Sequence, residues 1–483
     1  MTEPDVKTRR LAAYNPLSPQ PTGRALTIAI AVAVLMSLAY AIDMLIDLAK
    51  PPLPQSPVWF IQLVPIPFPA TWHITEVLMF VAWGIAAGAG TIGFALSRAG
   101  TSGRGKVRLC QIVVLVALLL PYVVFPVTTL FGDVLHLLVC IPTTAFGLWL
   151  LRPMQAFRRV PLRLVLASFG WGAMIAAGFS ICMTGWFTHY AGNFFLDFND
   201  LEGMQERLFT SMALTTGIFG ELGKIAGLTL LFMFFRRHFD GLTSGIVLGA
   251  AAGLGLNFVE SLQYLNSSSA VSLLNAGGAA SQFWSHQVLG LMAGEVAFGA
   301  IAGAGFGIAR QLPTARQRWS AVLACCLCAM AAHFATDVVL PHFLFDKIRW
   351  SRENPWLETL VVDPLLIAGT SGWFVALYLV LLQRGRRAEA DSIATAAMAE
   401  AASGAGAVTP DEAAALSSPA ARFFLRVSAL RDSGRQEYRA VRDLHAAQLD
   451  LLTGRWHTTP DEPELRRRVL VLKNAVPSPE VTS

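Results

Sequence analysis

Apolar residues in this chain come in long runs broken by short charged segments. Ten runs reach or approach the roughly 20 residues that an α-helix needs to cross a bilayer. They lie at about 25–48, 73–97, 109–131, 134–151, 164–188, 208–235, 242–265, 283–309, 319–342 and 359–383. A backbone in lipid has to satisfy its own hydrogen bonds, so each run predicts a helix. The expected fold class is all-α: a polytopic transmembrane helix bundle of about ten spans.

The chain divides accordingly. Residues 1–24 form an N-terminal tail, 25–207 carry helices one to five and a long loop, and 208–342 hold four helices with buried polar groups. Residues 343–383 are a loop and the last helix, and 384–483 form a C-terminal tail. The first part of that tail is rich in Ala, Gly and Ser and reads as a linker. From Arg422 to about Leu452 helical periodicity returns through Phe423, Leu425, Val427, Leu430, Val441, Leu444 and Leu449. This stretch predicts an amphipathic helix pair or a partner-binding segment, in a tail that is mostly helical or disordered.

Composition supports lipid as the solvent. Hydrophobic residues make up 54% of the 483 and charged residues 14%, against roughly 25% charged in soluble proteins. No nucleotide-binding loop or nucleic-acid motif is present. The six cysteines (Cys110, Cys140, Cys182, Cys325, Cys326, Cys328) all fall inside apolar runs, which points to packed free thiols, not a disulfide framework. The first apolar run is too long for a signal-peptide core and reads as an anchor.

The positive charges set an orientation. Lys7, Arg9, Arg10 and Arg24 precede the first helix. Alternate loops carry Arg98, Arg104, Lys106 and Arg108, then Arg152, Arg158, Arg159 and Arg163, then Arg236 and Arg237, then Arg310, Arg316 and Arg318. Arg384, Arg386 and Arg387 follow the last helix. This alternation predicts a multi-pass cell-membrane protein with both termini cytoplasmic. The loop with Asp197, Asp200, Glu202 and Glu206 would lie outside. Lys347, Arg349 and Arg352 run against the pattern and are outvoted.

Ionisable groups at membrane depth are expensive, so each is a functional candidate. Helix six holds Glu221 and Lys224, three residues apart on one face. Taken alone this is an internal ion pair. Helix seven carries a glycine row at four-residue spacing, Gly241, Gly245, Gly249 and Gly253, which lets another helix approach closely. Glu260 follows on nearly the same face. Helix eight opens on His286 and has its own small residues at Gly290, Gly294, Gly299, Gly303 and Gly307. Its Glu295 lies nine residues from His286, on the opposite face of a continuous helix, and is left out of the candidate site. Helix nine pairs His333 with Asp337 at i, i+4, so that the carboxylate can orient the imidazole. Taken one by one, His286 reads as an interface histidine and His333–Asp337 as a structural pair. Together they place polar groups on four consecutive helices, in the outer half or near the midplane, where one water-filled cavity can hold them.

That set resembles the PrsW family of intramembrane proteases, relatives of the type II CAAX prenyl proteases. The family pattern is Glu-Glu-x-x-Lys, a Gly-rich helix ending near Phe-x-x-x-Glu-Asn with a later Tyr, a His on the next helix, then His-x-x-x-Asn/Asp. This chain offers Glu221-x-x-Lys224, then Phe239-Asp240-Gly241 through Gly253-Leu254-Gly255 to Glu260 and Tyr264, then His286, then His333-x-x-x-Asp337. Order and spacing agree over about residues 208–340. Gly220 stands in place of the first Glu, Leu256 in place of the Phe and Ser261 in place of the Asn.

The resemblance implies an intramembrane endopeptidase in which residues 208–342 are the protease-like core and a glutamate activates water. Glu221, Glu260, His286 and His333 are the expected catalytic residues, with Lys224 and Asp337 supporting them. It implies a single-pass membrane protein substrate, of the anti-sigma-regulator class, cut near its extracytoplasmic boundary. No cofactor is required by this reading. Two His and one or two Glu also make a plausible zinc set, although no His-Glu-x-x-His is present. Two other readings stay open: an inactive protease-like scaffold, suggested by Gly220, and an ion-coupled transporter using the same acids.

Overall fold

The structure is a computed structural model that describes residues 22–48, 69–99, 104–184, 201–271, 277–339 and 354–475. Among these residues all regular structure is helical. Residues 1–21 of the expected N-terminal tail, with Asp197, Asp200, Lys347, Arg349 and Arg352, lie outside the described residues, and residues 22–24 of that tail belong to α1.

The helices in chain order are α1 (Thr22–Leu48), α2 (Pro69–Arg98), α3 (Arg104–Gly132), α4 (Val134–Leu150), α5 (Leu162–Thr184), α6 (Leu201–Phe234) and α7 (Leu242–Val271). They continue with α8 (Gly277–Phe283), α9 (Glu295–Gln311), α10 (Ala315–Phe334), α11 (Asp363–Thr370) and α12 (Gly372–Ala402). The tail adds α13 (Pro410–Ser417), α14 (Pro419–Trp456) and α15 (Glu462–Ala475). Among the described residues four π-helical stretches interrupt the α-helices, at Gly172–Ala176, Trp284–Leu289, Ala335–Val339 and Glu358–Val362.

Seven helices among the described residues are long and apolar enough to cross a membrane, or eight if the pair 359–370 and 372–402, bent by 54°, is one span. The chain is a multi-pass membrane protein. The expected ten is therefore an approximation, and the shortfall has a physical cause. α4 has only 17 residues, because Asp133 caps it directly after α3 by accepting from the Leu135 and His136 amides at 2.9 and 3.3 Å. The run 283–309 is not one helix. It is a π turn, a break at Gly290–Gly294 and the 17-residue α9.

α7 sits at the centre of the bundle: 94% of its apolar window is buried, against 17% for α2. The glycine rows explain how it gets there. A Cβ at Gly245, Gly249 or Gly253 would collide with the backbone of Gly303, Gly299 or Glu295, and a Cβ at Gly299, Gly303 or Gly307 would collide with Gly249, Gly245 or Gly241. The two rows face each other, so α7 and α9 touch backbone to backbone. On its other side Gly255 meets Phe169 and Ala173 of α5 in the same way.

The tail departs from the expected linker. α12 runs without a break past Arg387 to Ala402, and Ile393, Ala396, Ala397, Val408, Ala413, Leu416, Leu449 and Leu452 form one core with Phe157. A capping box closes α13: the Thr409 hydroxyl accepts from the Glu412 amide at 3.3 Å, and Glu412 accepts from the Thr409 amide at 2.7 Å. Arg158, in the turn after α4, donates to Asp240 at 2.7 Å, to Asp450 at 3.1 Å and to the Arg237 carbonyl at 3.1 Å. The tail thus docks on the face where α4 and α6 end and where α5 and α7 begin.

Candidate functional site

α6 and α10 each turn a polar pair toward α9. Glu221 and Lys224 lie on the inner face of α6, both fully buried. Small residues let α6 come this close: a Cβ at Gly223 would press on Ala176 of α5. The Gly223 carbonyl accepts from Trp171 Nε1 at 2.9 Å. His333 is buried at the end of α10, and the π turn that follows carries Asp337, which remains partly exposed. π turns re-aim side chains within a helix and concentrate at functional sites.

The groups converge. Lys224 Nζ is 2.5 Å from Glu221 Oε1 and 2.5 Å from Glu295 Oε2. His333 Nδ1 lies 3.1 Å from Glu221 Oε1, and its Nε2 lies 3.1 Å from both Glu295 Oε1 and Asp337 Oδ2. Phe298 stacks on the imidazole with centroids 4.9 Å apart, which fixes the ring plane. Both histidine nitrogens face carboxylate oxygens. The ring can donate at both only as an imidazolium. Otherwise a proton on a carboxyl, or a cation, has to separate one of the pairs.

Glu295 was the residue excluded on sequence grounds, and the structure reverses that. The exclusion assumed a continuous helix from His286. Gly294 instead adopts φ 47°, ψ −121°, a left-handed conformation that suits glycine. α9 then starts afresh at Glu295, whose carboxylate sits at the positive N-terminal end of the helix. The signal available in the sequence was the spacing of Gly290 and Gly294 inside an otherwise apolar run.

The other expected residues form a neighbouring group. Tyr264 donates to Glu260 at 3.4 Å, and its ring stacks on His286 with centroids 4.8 Å apart. Glu260 is half-buried and within electrostatic reach of Glu295, His333, Asp337 and Lys224. His286 is held from behind. Its neighbour Gln287 is fully buried, accepts from Thr143 at 2.7 Å and donates to Ser261 at 2.8 Å, and Ser261 donates to the Asn257 carbonyl at 2.6 Å. The structure therefore joins Glu221, Lys224, His333 and Asp337 directly and sets Glu260 and His286 beside them.

Three side chains, Glu221, Glu295 and His333, each offer one ligating atom within 4.8 Å of the others, all buried. Glu221 Oε2 is buried with no hydrogen-bond partner. Two carboxylates, one imidazole and one unsatisfied oxygen suit a divalent ion, and Asp337, at the same ring nitrogen as Glu295, adds a third carboxylate against the imidazole. A side chain at Gly220 would point at His333, with its Cβ 3.9 Å from the ring and 3.7 Å from Leu256. Glu295 stands with Glu221 and Asp337 as one of three carboxylates against the same imidazole.

Residues 160–362 match the family model described as PrsW family intramembrane metalloprotease. This segment is a PrsW-like protease domain. It spans α5 to the π turn at Glu358–Val362, and so includes every residue of the cluster and of the group beside it. No curated protein and no solved structure matches the chain. The PrsW-like domain thus leaves α1 to α4 and the docked tail outside the matched segment.

Proposed function

We propose that the PrsW-like domain hydrolyses a peptide bond of a single-pass membrane protein near the membrane boundary opposite the tail. The observation that carries this is the buried Glu221–Lys224–Glu295–His333–Asp337 cluster, built from three membrane helices and the π turn after one of them.

Peptide hydrolysis needs an activated water, a donor for the oxyanion and a proton for the leaving amine. Glu221 is the base in this reading, its second oxygen buried and without a hydrogen-bond partner in the fold. Lys224 between the two carboxylates fixes the orientation of Glu221 and offsets its charge. His333, locked by Glu295 and Asp337, delivers a proton to the amine. His286 and Tyr264, at the more exposed rim, donate to the oxyanion, and Glu260 shares or positions the water.

A second reading rests on the converging donors and on the family's description as metalloproteases. Glu221, Glu295 and His333 would then hold a divalent ion, which when bound would supply Lewis-acid activation of water. Glu260 is left as the proton acceptor and Lys224 balances the carboxylate charge. Metal analysis of the purified protein and cleavage after chelation separate the two readings.

The side of the cut follows from helix register. Glu221 stands thirteen residues before the end of α6, Glu295 sixteen before the end of α9, and Glu260 eighteen after the start of α7. At 1.5 Å per residue these groups lie about 20–27 Å from the tail side of a core about 30 Å thick. The arginines of the tail-side turns favour that side as cytoplasmic, which makes the cut extracytoplasmic and both termini cytoplasmic. Anti-sigma-type regulators are the substrate class that the family resemblance suggests. The test is a panel of tagged single-pass membrane proteins with the wild type and Glu221→Gln. The expected result is a new terminus outside the substrate's span, absent in the variant at equal abundance. A terminus on the tail side would overturn the direction of the cut, and equal cleavage by the variant would remove Glu221 from the chemistry.

A further inference from the structure

The first half of α14 presents an apolar stripe that nothing among the described residues covers. Phe423 and Phe424 are 62% and 68% exposed, and Val427 and Leu430 continue the stripe at helical spacing. The helix kinks at Gly434 (φ 85°, ψ −169°), and beyond the kink Ala447, Leu449, Leu451 and Leu452 are buried in the tail bundle. The two halves therefore serve different purposes. Phe424 also borders an open apolar groove shared with Ala414, Ala415, Ala421 and Leu425.

The position of this half-helix is fixed from its first turn. The Arg422 guanidinium donates to the Ala156 carbonyl at 2.6 Å and lies over the Phe157 ring at 5.0 Å. Ala156 is six residues past the end of α4, in the turn that leaves the membrane on the tail side. The stripe thus begins beside the turn that follows the apolar helix α4. The segments that meet here are net cationic in sequence: Arg426, Arg431, Arg435, Arg439 and Arg442 on α14, and Arg152, Arg159 and Arg163 around the turn, against Asp411, Glu412, Asp432, Glu437 and Asp443.

We propose that Pro419–Ser433 is an interfacial helix that lies on the anionic leaflet on the tail side, with Phe423, Phe424, Val427 and Leu430 among the acyl chains. Aromatic and aliphatic residues on one face, with arginines flanking them, are the composition that such helices need. Arginines near an anionic surface add attraction that neutral lipid does not supply. The contact would tie the tail, and through Arg158 and Asp240 the start of α7, to the lipid composition of that leaflet.

The test uses the full chain with a photo-crosslinking phenylalanine analogue at position 423 or 430, and at Ser403 as a control. The protein is irradiated in nanodiscs of phosphatidylcholine alone or with added phosphatidylglycerol, and its intact mass is measured. The expected result is a lipid-mass adduct at 423 and 430, roughly fivefold stronger with the anionic lipid, and none at 403. Lipid adducts of equal yield in the two nanodiscs would overturn the anionic preference. Absence of lipid adducts, or an adduct of protein mass when the same variants are irradiated in cell membranes, would overturn the lipid assignment.

Discussion

Glu295 shows how one backbone torsion decides the chemistry of a site. Nine residues of regular helix would turn it away from His286, and the break at Gly294 turns it back onto Lys224 and His333. A Cβ at Gly294 meets nothing within 4 Å, so the objection to a side chain there is conformational and not steric. Gly294→Ala should therefore keep the protein in the membrane while displacing Glu295, at a strain of about 1–3 kcal/mol. Cleavage should fall roughly tenfold or more for a displacement of about 1 Å. Wild-type turnover at wild-type abundance would show that the break does not position the carboxylate. Glu221, Lys224, His333 and Asp337 were legible because an acid or base in an apolar run stands out by its desolvation cost. Glu295 stands out equally by that measure. It was lost because periodicity assigns faces only within an uninterrupted helix.

Among the elements, the long apolar runs and the glycine row were readable from the chain, since bilayer thickness and close backbone approach each impose a length or a spacing. The partner of the row was not assigned from the chain; the structure shows it to be α9, whose small residues lie in register with it. Gly249→Leu or Gly303→Leu should push α7 and α9 apart and lower the amount of folded protein. Gly84→Leu, in open space on α2, should not. Equal abundance of the three variants in membranes would contradict the backbone contact. The helical character expected of the tail holds, and only the linker reading of its first part fails, because alanine is ambiguous. It suits linkers, and it is also the best helix former; here Ala396 and Ala397 pack with Ile393 in a core.

Two tail groups predict a response to acid. Hydrogen bonds from Arg466, then its charge and that of Arg455, hold the Glu400 carboxyl below its ordinary value of 4.5, and burial, with Arg426 and Arg422 adding to it, pushes His445 down to about 4. Both favour the deprotonated form when folded, so their stabilisation is present at neutral pH. That of His445 is lost as pH falls below 6.5, and that of Glu400 below 4.5. The melting temperature of the tail should drop between pH 7 and pH 4, with the upper part of the drop reduced in His445→Gln. A flat or rising profile would contradict these assignments.

At the scale of the whole molecule, a deep polar cluster and a docked helical tail occupy opposite ends of one bundle. α7 and α9 connect them: their tail-side ends meet Asp240 and Gln311, and their far ends bear Glu260 and Glu295. Reporter fusions at Ser483 and in the segment before α6 should report opposite sides of the membrane. The central claim is that this cluster performs the hydrolysis. The most direct test is turnover of a cleaved substrate by purified protein in proteoliposomes, comparing the wild type with Glu295→Gln. Glutamine keeps the shape and the buried position and removes the charge facing Lys224 and His333. The account predicts a loss of at least about 100-fold in cleavage, with the variant still folded and inserted. Wild-type cleavage by Glu295→Gln would contradict it.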